Sequence, residues 1–427
     1  MTKDDKDNPA MTPMLTGYKV LDITQFVAGP TCTRIMAELG AEVIKVELAP
    51  GGDHARQSGL RARGEENRDC TQSTYFVQHN HSKKSIAVNL KDPRGQELVR
   101  KMVPNVDVLV ENFAPGAIGR MGLAYDDLKE INPRLVMCSI SMAGQDGPLA
   151  HQPGFDYMAS AYGGISSLIG EPDRSPVQVP IAMGDSATGV AAAMAVGFAL
   201  LHRERTGEGQ YIDCSLLDTY VQMHEDYIPR VGLRGSKAIP PRSGSQHPNG
   251  GPTGIYHAGD GQYIQVMIMP YQWPRMVAAL DMPELEDDER FATPHARREN
   301  REALKDIIET WMAAFPGREA VLEVLNAERV PAAPVLSLDE VIEHPHLLER
   351  STIRTVSDPH IGAFPIPGMP ARFSQWEYEK DIAAPLLGEH NESVITELAG
   401  LDPNELDRLY EENVLVCDSR ARRKATG

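Results

Sequence analysis

The stretch VLDITQFVAGPTCTRIMAELGAEVIKVE, residues 20–47, decides the fold class. Residues 18–24 (YKVLDIT) are typical of a strand, residues 31–40 (TCTRIMAELG) of a helix that ends at a glycine, and residues 42–47 (EVIKVE) of a second strand. A strand, a helix and another strand in this order form the unit from which parallel sheets are built. The stretch therefore predicts an α/β fold with a mostly parallel sheet.

The same alternation continues through the first third of the chain. Three more strands are predicted, at residues 85–90 (SIAVNL), 106–113 (VDVLVENF) and 134–142 (RLVMCSISM). Helical periodicity with an acidic opening marks the two segments between them, 92–104 (DPRGQELVRKMVP) and 125–132 (YDDLKEIN). The sheet should therefore be covered by helices.

The second half of the chain has a different organisation. A break rich in glycine, proline and serine lies at residues 241–254, and two short strand patterns around AGDG then predict a hairpin. Helical segments follow at 301–315 and 318–328. We therefore predict a large α/β domain that begins with residues 1–230, a small α+β domain at 236–335, and a linker with a C-terminal return to the large domain at 340–427.

Composition and charge narrow the possible partners. The net charge of −18 argues against binding to nucleic acid or to an anionic membrane surface, because a polyanion needs a broad basic face. No apolar run approaches the roughly 20 residues that span a bilayer, and residues 1–14 are polar, with no apolar signal core. The five cysteines are scattered without CxxC spacing, which favours reduced thiols in a cytoplasmic protein.

The common motifs of α/β enzymes are missing from the sequence. The first strand-to-helix turn, QFVAGPTC, has one glycine where a dinucleotide-binding fingerprint needs three. There is no P-loop and no GxSxG elbow, and no two of the 13 histidines have metal-ligand spacing. A metal site is therefore not expected, and carboxylate chemistry is the remaining candidate.

Asp185 opens a long segment of small and apolar residues, SATGVAAAMAVGFALLHRER. One interpretation is an N-cap, in which the Asp185 side chain accepts a backbone N–H bond and stabilises the helix by about 1 kcal/mol. The other is a nucleophile, because a helix N-terminus favours an ionised carboxylate and the neighbouring Gly184 and Ala187 leave space around it. The local pattern leaves both interpretations open.

Several blocks together resemble the class III CoA-transferases, the CaiB/BaiF family. These blocks are residues 20–47, SKKSIAVNLK, VENFAPGAIGRMGL, GDSATG followed by ALLHRERTGEGQYID, HPNGGPTGIY, VPAAPVLSLDEVIEHP and APLLGEHNESV. The family includes formyl-CoA:oxalate and carnitine CoA-transferases and α-methylacyl-CoA racemase. The resemblance covers roughly residues 15–400. It implies a large Rossmann-like domain, a small domain and an interlocked homodimer.

The resemblance also implies a reaction and its nucleophile. Asp185 corresponds to the aspartate that forms a mixed anhydride with the donor acyl group and then an aspartyl-CoA thioester. Asp156 corresponds to a carboxylate that borders the active site, and we include it among the catalytic residues. An acyl-CoA and a carboxylic acid are the implied substrates, and no prosthetic group is needed.

Further positions match the family's CoA-binding residues. Arg120 corresponds to an arginine near the CoA phosphates, and a planar guanidinium suits that contact. Lys83 and Lys84 form a basic cluster, for which there are two interpretations. Either one of the lysines assists CoA binding, or both lie in a solvated turn. The other matching positions are Val27, Ala28, Asn89, Leu90, Lys91, Asn112, Phe113, Ala114 and Phe155.

Departures from the family pattern bear on the substrate and on the alternatives. Val27 and Leu48 stand where formyl-CoA transferase has a glutamine and a CoA-binding arginine, and the glycine-rich flap is reduced to residues 247–251, which suggests a larger or more apolar acyl group. Phe155 stands where the racemase branch has a histidine, and because phenylalanine exchanges no proton this favours a transferase. Acyl-CoA racemisation, intramolecular CoA migration and a non-catalytic CoA-binding protein remain as alternatives.

Overall fold

The structure, a computed structural model, describes residues 12–62, 70–248, 250–376 and 382–421. Most of the polar start, and Asn249 of the shortened flap, therefore lie outside the described residues.

The chain divides into two compact units. The first comprises residues 1–163, 180–223 and 345–427, and the second comprises 164–179 and 224–344. Compared with the predicted division, the second unit begins earlier and includes a separate piece of chain, residues 164–179.

A parallel sheet of six strands forms the centre of the first unit, in the order β3-β2-β1-β4-β5-β6. This confirms the predicted parallel α/β fold. The order is that of a Rossmann-type sheet, in which β1 to β3 extend the sheet to one side and β4 to β6 extend it to the other. The strands are β1 (Lys19–Ile23), β2 (Glu42–Leu48), β3 (Lys84–Val88), β4 (Val108–Glu111), β5 (Val136–Ser141) and β6 (Gln210–Ser215).

The first unit also contains eleven of the described helices. They are α1 (Ala28–Glu38), α2 (Thr74–Asn80), α3 (Pro93–Met102), α4 (Ala117–Arg120), α5 (Tyr125–Lys129), α6 (Asp156–Tyr162), α7 (Met183–Thr206), α8 (Leu216–Gln222), α15 (Pro345–Glu349), α16 (Asn391–Ala399) and α17 (Pro403–Glu411). Leu21 on β1 pairs in register with Ile44 on β2 and with Leu109 on β4. All three side chains are fully buried, as expected for a parallel sheet covered on both faces.

Two elements of the first unit escaped sequence analysis. Strand β6 alternates between exposed and partly buried positions and lacks the continuous apolar run that marks the central strands. The C-terminal segment, predicted as a linker and a return to the large domain, contains an antiparallel hairpin of β10 (Ile353–Asp358) and β11 (Gly362–Pro367). Prolines at 365 and 367 hid the second strand, since proline is tolerated mainly at sheet edges.

The second unit has its own small antiparallel sheet and its own core. The predicted hairpin around AGDG is confirmed as β7 and β8, and β9 pairs with β8. Tyr256, Trp273, Phe291 and Ile308 are among its buried core residues. Its elements are α9 (Tyr227–Arg234), β7 (Thr253–His257), β8 (Tyr263–Met267), α10 (Trp273–Leu280), α11 (Pro294–Glu299), α12 (Arg301–Met312), α13 (Arg318–Ala327), β9 (Ala332–Pro334) and α14 (Leu338–Glu343).

Helix α7 is long and apolar enough, by length and composition, to cross a membrane, although the sequence was expected to contain no such segment. Within the described residues it is the one helix of this kind, and a core helix can pass the same test. It packs closely on α1 through Gly189, where an added Cβ would lie 2.6 Å from the Ala28 carbonyl oxygen and 2.6 Å from Thr31 Cβ. Small residues therefore serve here to bring two helices together.

Buried charges lie beneath the turn that joins β1 to α1. Lys83 Nζ donates to Asp22 Oδ2 at 2.8 Å, to Thr33 Oγ1 at 2.8 Å and to Asn80 Oδ1 at 2.9 Å. Both members of the Lys83–Asp22 pair have fully buried side chains. The interpretation of Lys83 as a CoA-binding or solvated residue is therefore wrong, because its ammonium group already has internal partners.

Substitution of Lys83 and of Lys84 compares the contribution of a buried ion pair to stability with that of a surface ion pair. Lys84 pairs with Glu42 at the surface, where its side chain is 37% exposed. We expect Lys83→Ala to lower the free energy of unfolding by about 3 kcal/mol, since Asp22 would lose its closest charged partner in a dry environment. Lys84→Ala should cost no more than about 1 kcal/mol.

Urea titration of both variants measures the difference. Equal effects of the two substitutions would show that the buried network does not stabilise the turn.

Candidate active site

A cavity of about 460 Å³ opens at the carboxyl ends of β1, β4 and β5 in the first unit. Ligands of open α/β sheets bind at this edge, beside the point where the strand order reverses. Asp185 lines the cavity together with residues from the turns after β1 and β4. The lining residues are 25–28, His54, 112–115, 140–142, Ala150, 152–155, Asp185 and Leu216.

Asn112 ties the ends of β1 and β4 together across this reversal point. The Gln25 N–H donates to Asn112 Oδ1 at 2.8 Å, and Asn112 Nδ2 donates to the Gln25 carbonyl at 2.8 Å. Glu111 adds a bond from the Phe113 N–H to its Oε2 at 2.8 Å. The Asn112 side chain, predicted to bind CoA, therefore shapes the cavity through the backbone of Gln25.

The turn after β1 is held in an unusual conformation. Phe26 has a φ of 64°, a region that bulky residues rarely adopt. Its N–H donates to Asp53 Oδ1 at 3.1 Å, and Asp53 Oδ2 lies 2.9 Å from Lys45 Nζ. Lys45 and Asp53 both have fully buried side chains. Their ion pair therefore holds Asp53 in position to bond the Phe26 N–H.

Asp185 is the third residue of α7, which begins at Met183 and has Ala182 as its N-cap. The interpretation of Asp185 as the N-cap is therefore wrong. The helix starts earlier because its first backbone donors find acceptors in neighbouring helices. The Asp185 N–H donates to Asp156 Oδ1 at 2.8 Å, and the Gly184 N–H donates to the Tyr220 hydroxyl oxygen at 3.1 Å.

Asp156 and Tyr220 are joined to each other as well as to α7. The Tyr220 hydroxyl donates to Asp156 Oδ2 at 2.9 Å, and both residues are buried. Burial, with the Asp156 hydrogen bond, raises the pKa of Tyr220 to about 12, so the hydroxyl keeps its proton. A Cβ at Gly184 would lie 2.2 Å from the Tyr220 ring, so this glycine provides close packing for the ring and no open space, contrary to expectation.

The Asp185 carboxylate itself accepts no hydrogen bond from the described residues. Burial, and then the negative charge of Asp156, raise the pKa of Asp185 to about 7. The helix N-terminus was expected to favour the ionised form, but loss of hydration outweighs it here. A half-ionised carboxylate at neutral pH that faces a cavity is suited to attack an activated acyl group.

The predicted CoA-binding residues fall into two groups. Val27, Ala28, Asn112, Phe113, Ala114 and Phe155 line the cavity. Four others, Asn89, Leu90, Lys91 and Arg120, are not among the lining residues. Leu90 is buried in the sheet core, so its side chain is closed to a ligand, whereas Lys91 and Arg120 are exposed.

Two further questions from the sequence concern Leu48 and possible metal ligands. Leu48, which replaces a family arginine, packs its side chain against the sheet core at the end of β2. Among the described residues, no group of three or more His, Cys, Asp or Glu side chains is placed to hold a metal ion.

Sequence analysis missed three residues of this site. Phe26 adjoins the predicted Val27, and His54 follows the buried Asp53, so both could have been found by examining the turns at the strand ends. Tyr220 reaches Gly184 from 36 positions away along the chain. Nothing in the local pattern around Tyr220 marks it.

Comparison with known proteins places the chain among CoA-transferases. The model of CoA-transferase family III matches residues 15–391. The chain is similar to succinyl-CoA:glutarate CoA-transferase of Mus musculus, with 34% identity over 97% of this chain and 92% of that protein. It is 35% identical to succinyl-CoA–D-citramalate CoA-transferase of Chloroflexus aurantiacus, over 94% of this chain and 98% of the relative.

A formyl-CoA:oxalate CoA-transferase of Streptomyces coelicolor is 36% identical to the chain, over 94% of this chain and 99% of that protein. Among solved structures, a CaiB/BaiF family protein from Brucella suis superposes with a TM-score of 0.78 at 35% identity. That match covers 91% of this chain and all of the other (100%).

The raised pKa of Asp185 predicts a stability gain for Asp185→Asn that depends on pH. Because folding raises this pKa above its ordinary value, the folded protein holds the proton more tightly than the unfolded chain does. The wild type therefore loses stability as the pH rises from about 4 to 7 and does not recover it above 7. The Asp185→Asn variant does not lose stability in this way, because asparagine does not ionise.

Asp185→Asn should be more stable than the wild type by about 2 to 4 kcal/mol at pH 8 and nearly equal to it at pH 4. Denaturant unfolding at both pH values measures the gain. The exposed Asp287→Asn serves as a control and should change stability little. A gain that is the same at both pH values would contradict the assignment.

Proposed function

The chain belongs to CoA-transferase family III, and from this we propose that it transfers CoA from an acyl-CoA donor to a carboxylic acid through a covalent bond to Asp185. The observation that supports the proposal most directly is the Asp185 carboxylate. It faces the cavity at the sheet edge, accepts no hydrogen bond from described residues, and has a pKa near neutrality. Its backbone is fixed by Asp156.

The proposed reaction begins with attack of an Asp185 carboxylate oxygen on the thioester carbonyl carbon of the donor. The carbon–sulfur bond breaks, giving an aspartyl–acyl mixed anhydride and CoA thiolate. The thiolate then attacks the aspartyl carbonyl and releases the donor acid, which leaves an aspartyl-CoA thioester. The acceptor carboxylate reverses these two steps and regenerates Asp185. Because thioester and anhydride are both activated acyl groups, each step is nearly balanced.

Asp156 and Tyr220 act in this proposal as positioning residues. The Asp156 carboxylate holds the Asp185 backbone, and Tyr220 holds both Asp156 and Gly184. The negative charge of Asp156 raises the pKa of Asp185 and so makes its carboxylate more basic. A more basic carboxylate is a stronger nucleophile once it is ionised, so Asp156 supports the chemistry without touching the acyl group.

We further propose that CoA enters along the turn after β4. Asn112, Phe113 and Ala114 line the cavity on this side, and the exposed Arg120 ends the short helix α4 that follows. An arginine at this place suits a phosphate, since its planar fork donates two hydrogen bonds. Exposed Lys91, after β3 at the same sheet edge, adds a second positive charge.

Trapping the covalent intermediate tests the proposal. Hydroxylamine added during turnover should convert the aspartyl-CoA thioester into an aspartyl hydroxamate at residue 185, which peptide mass spectrometry locates. Asp185→Asn should lose transfer activity by at least about a thousandfold, as expected when a nucleophile is removed. Asp146→Asn, at an exposed position, is the matched control.

A hydroxamate at another residue, or an active Asp185→Asn enzyme, would exclude the mechanism.

Proton exchange at the α-carbon of an acyl-CoA is the second candidate. It needs an acid or base on each face of that carbon, and His54 lines the same cavity as Asp185. Incubation of an acyl-CoA in deuterated water without acceptor acid separates the two reactions. Deuterium at the α-carbon would support exchange, and unlabelled acyl-CoA would support transfer alone.

A homodimer is the assembly that the family resemblance implies, and we propose it here. Helix α7 bears an exposed apolar stripe of Val190, Met194, Phe198 and Leu201, spaced three and four residues apart. Such a stripe is typical of a surface that another chain covers. We also propose a cytoplasmic location without nucleic-acid or membrane partners, in keeping with the net charge of −18 and five free thiols.

Sedimentation velocity tests the assembly. The wild type should sediment at twice the chain mass of 46.9 kDa. Phe198→Asp should shift the protein toward the monomer, because a charge in an apolar interface is poorly hydrated, whereas Phe198→Leu should remain dimeric. A monomeric wild type would refute the proposal.

A further inference from the structure

Three aromatic side chains form one wall of the cavity. The Phe26 and His54 rings are stacked with centroids 5.4 Å apart and planes 13° apart. The Phe155 ring meets Phe26 edge-on, with centroids 6.1 Å apart and an angle of 77°. Phe155 is 66% exposed and Phe26 is 37% exposed, so their ring surfaces are available to a ligand. We call these three side chains the aromatic wall.

The aromatic wall lies beside the reacting carboxylate. Phe155 directly precedes Asp156, whose Oδ1 accepts the Asp185 N–H at 2.8 Å. Phe26 is held toward the same cavity by the bond from its N–H to Asp53. An acyl group bonded to Asp185 would therefore occupy the same cavity as the wall.

The described residues that line the cavity include no lysine and no arginine. Apart from Asp185, His54 is the one ionisable side chain among them, and its ring lies on Phe26. The Asn112 amide is already bonded to the backbone of Gln25. Among these lining residues, a second carboxylate on the substrate would thus find no lysine or arginine partner and would share a largely apolar cavity with the negative charge of Asp185.

We propose that the enzyme transfers CoA to and from monocarboxylic acids with an aromatic or bulky apolar body, which packs on the aromatic wall. The proposal rests on the transfer reaction proposed above and specifies its substrate class. It separates this chain from relatives whose names give dicarboxylates such as glutarate and oxalate. Aromatic contacts of this kind discriminate by geometry as well as by area.

Isotope exchange tests this class with one acid at a time. The enzyme is incubated with 3-phenylpropanoyl-CoA and deuterated 3-phenylpropanoate, and separately with glutaryl-CoA and deuterated glutarate. Mass spectrometry follows the label into the thioester. We expect kcat/KM for the phenyl substrate to exceed that for glutarate by at least about tenfold, the range of one aromatic contact together with one unmatched charge.

Variants of Phe155 connect the preference to the aromatic wall. Phe155→Ala should lower exchange of the phenyl substrate by roughly tenfold more than it lowers exchange of glutarate. Phe155→Arg should raise glutarate exchange relative to the phenyl substrate, because it places a cation beside the second carboxylate. Tyr162→Ala removes another exposed aromatic residue of the same segment outside the cavity lining, and should change neither rate.

The outcomes separate this proposal from the transfer mechanism. Faster exchange of glutarate than of the phenyl acid by the wild type would overturn the substrate class while supporting transfer through Asp185. Equal loss of both substrates in Phe155→Ala would show a structural role for Phe155 and would also overturn it. Absence of exchange with both acids would refute the substrate class, and the hydroxamate at Asp185 then decides the mechanism independently.

Discussion

Buried charge beneath the first strand-to-helix turn is the constraint on which the site depends. Lys83 neutralises Asp22, and Lys45 neutralises Asp53, with all four side chains fully buried. Asp53 in turn holds Phe26 at its positive φ. Paired charges in a dry environment are sensitive to any loss of a partner, so they specify a single geometry for the turn. That geometry sets one wall of the cavity and provides the surface on which α7 packs.

The acidity of Asp185 reflects a competition between two effects. The N-terminal turn of a helix lowers the pKa of a carboxyl group, whereas loss of hydration and a neighbouring negative charge raise it. Here the raising effects prevail, because the strongest donors of the turn are already occupied. The N–H groups of Gly184 and Asp185 bond to Tyr220 and Asp156, so the Asp185 carboxylate receives no hydrogen bond from them. The same contacts that start the helix therefore direct these N–H groups away from the Asp185 carboxylate.

The cavity combines a polar frame with an apolar interior. Asn112 and Glu111 use their polar atoms to fix the backbone of the two strand ends. The side chains left facing the cavity are then largely apolar or aromatic, with Asp185 as the acid among them. In the mechanism proposed above, the apolar side chains help to keep water from the acyl anhydride. Under that proposal, the aromatic side chains recognise the acid while Asp185 carries out the transfer.

The sequence by itself determined the parallel sheet, the order of its early strands and the family, because strand and helix periodicity and contiguous motifs are local properties. It also placed Asp185 at the start of a helix and Val27 and Ala28 on the first strand-to-helix turn. Only the tertiary structure decided that Asp156 and Tyr220 cap α7, that Lys83 is buried and that Leu90 belongs to the core. Each of these facts depends on contacts between distant parts of the chain, and hydration and charge at a position are set by those contacts.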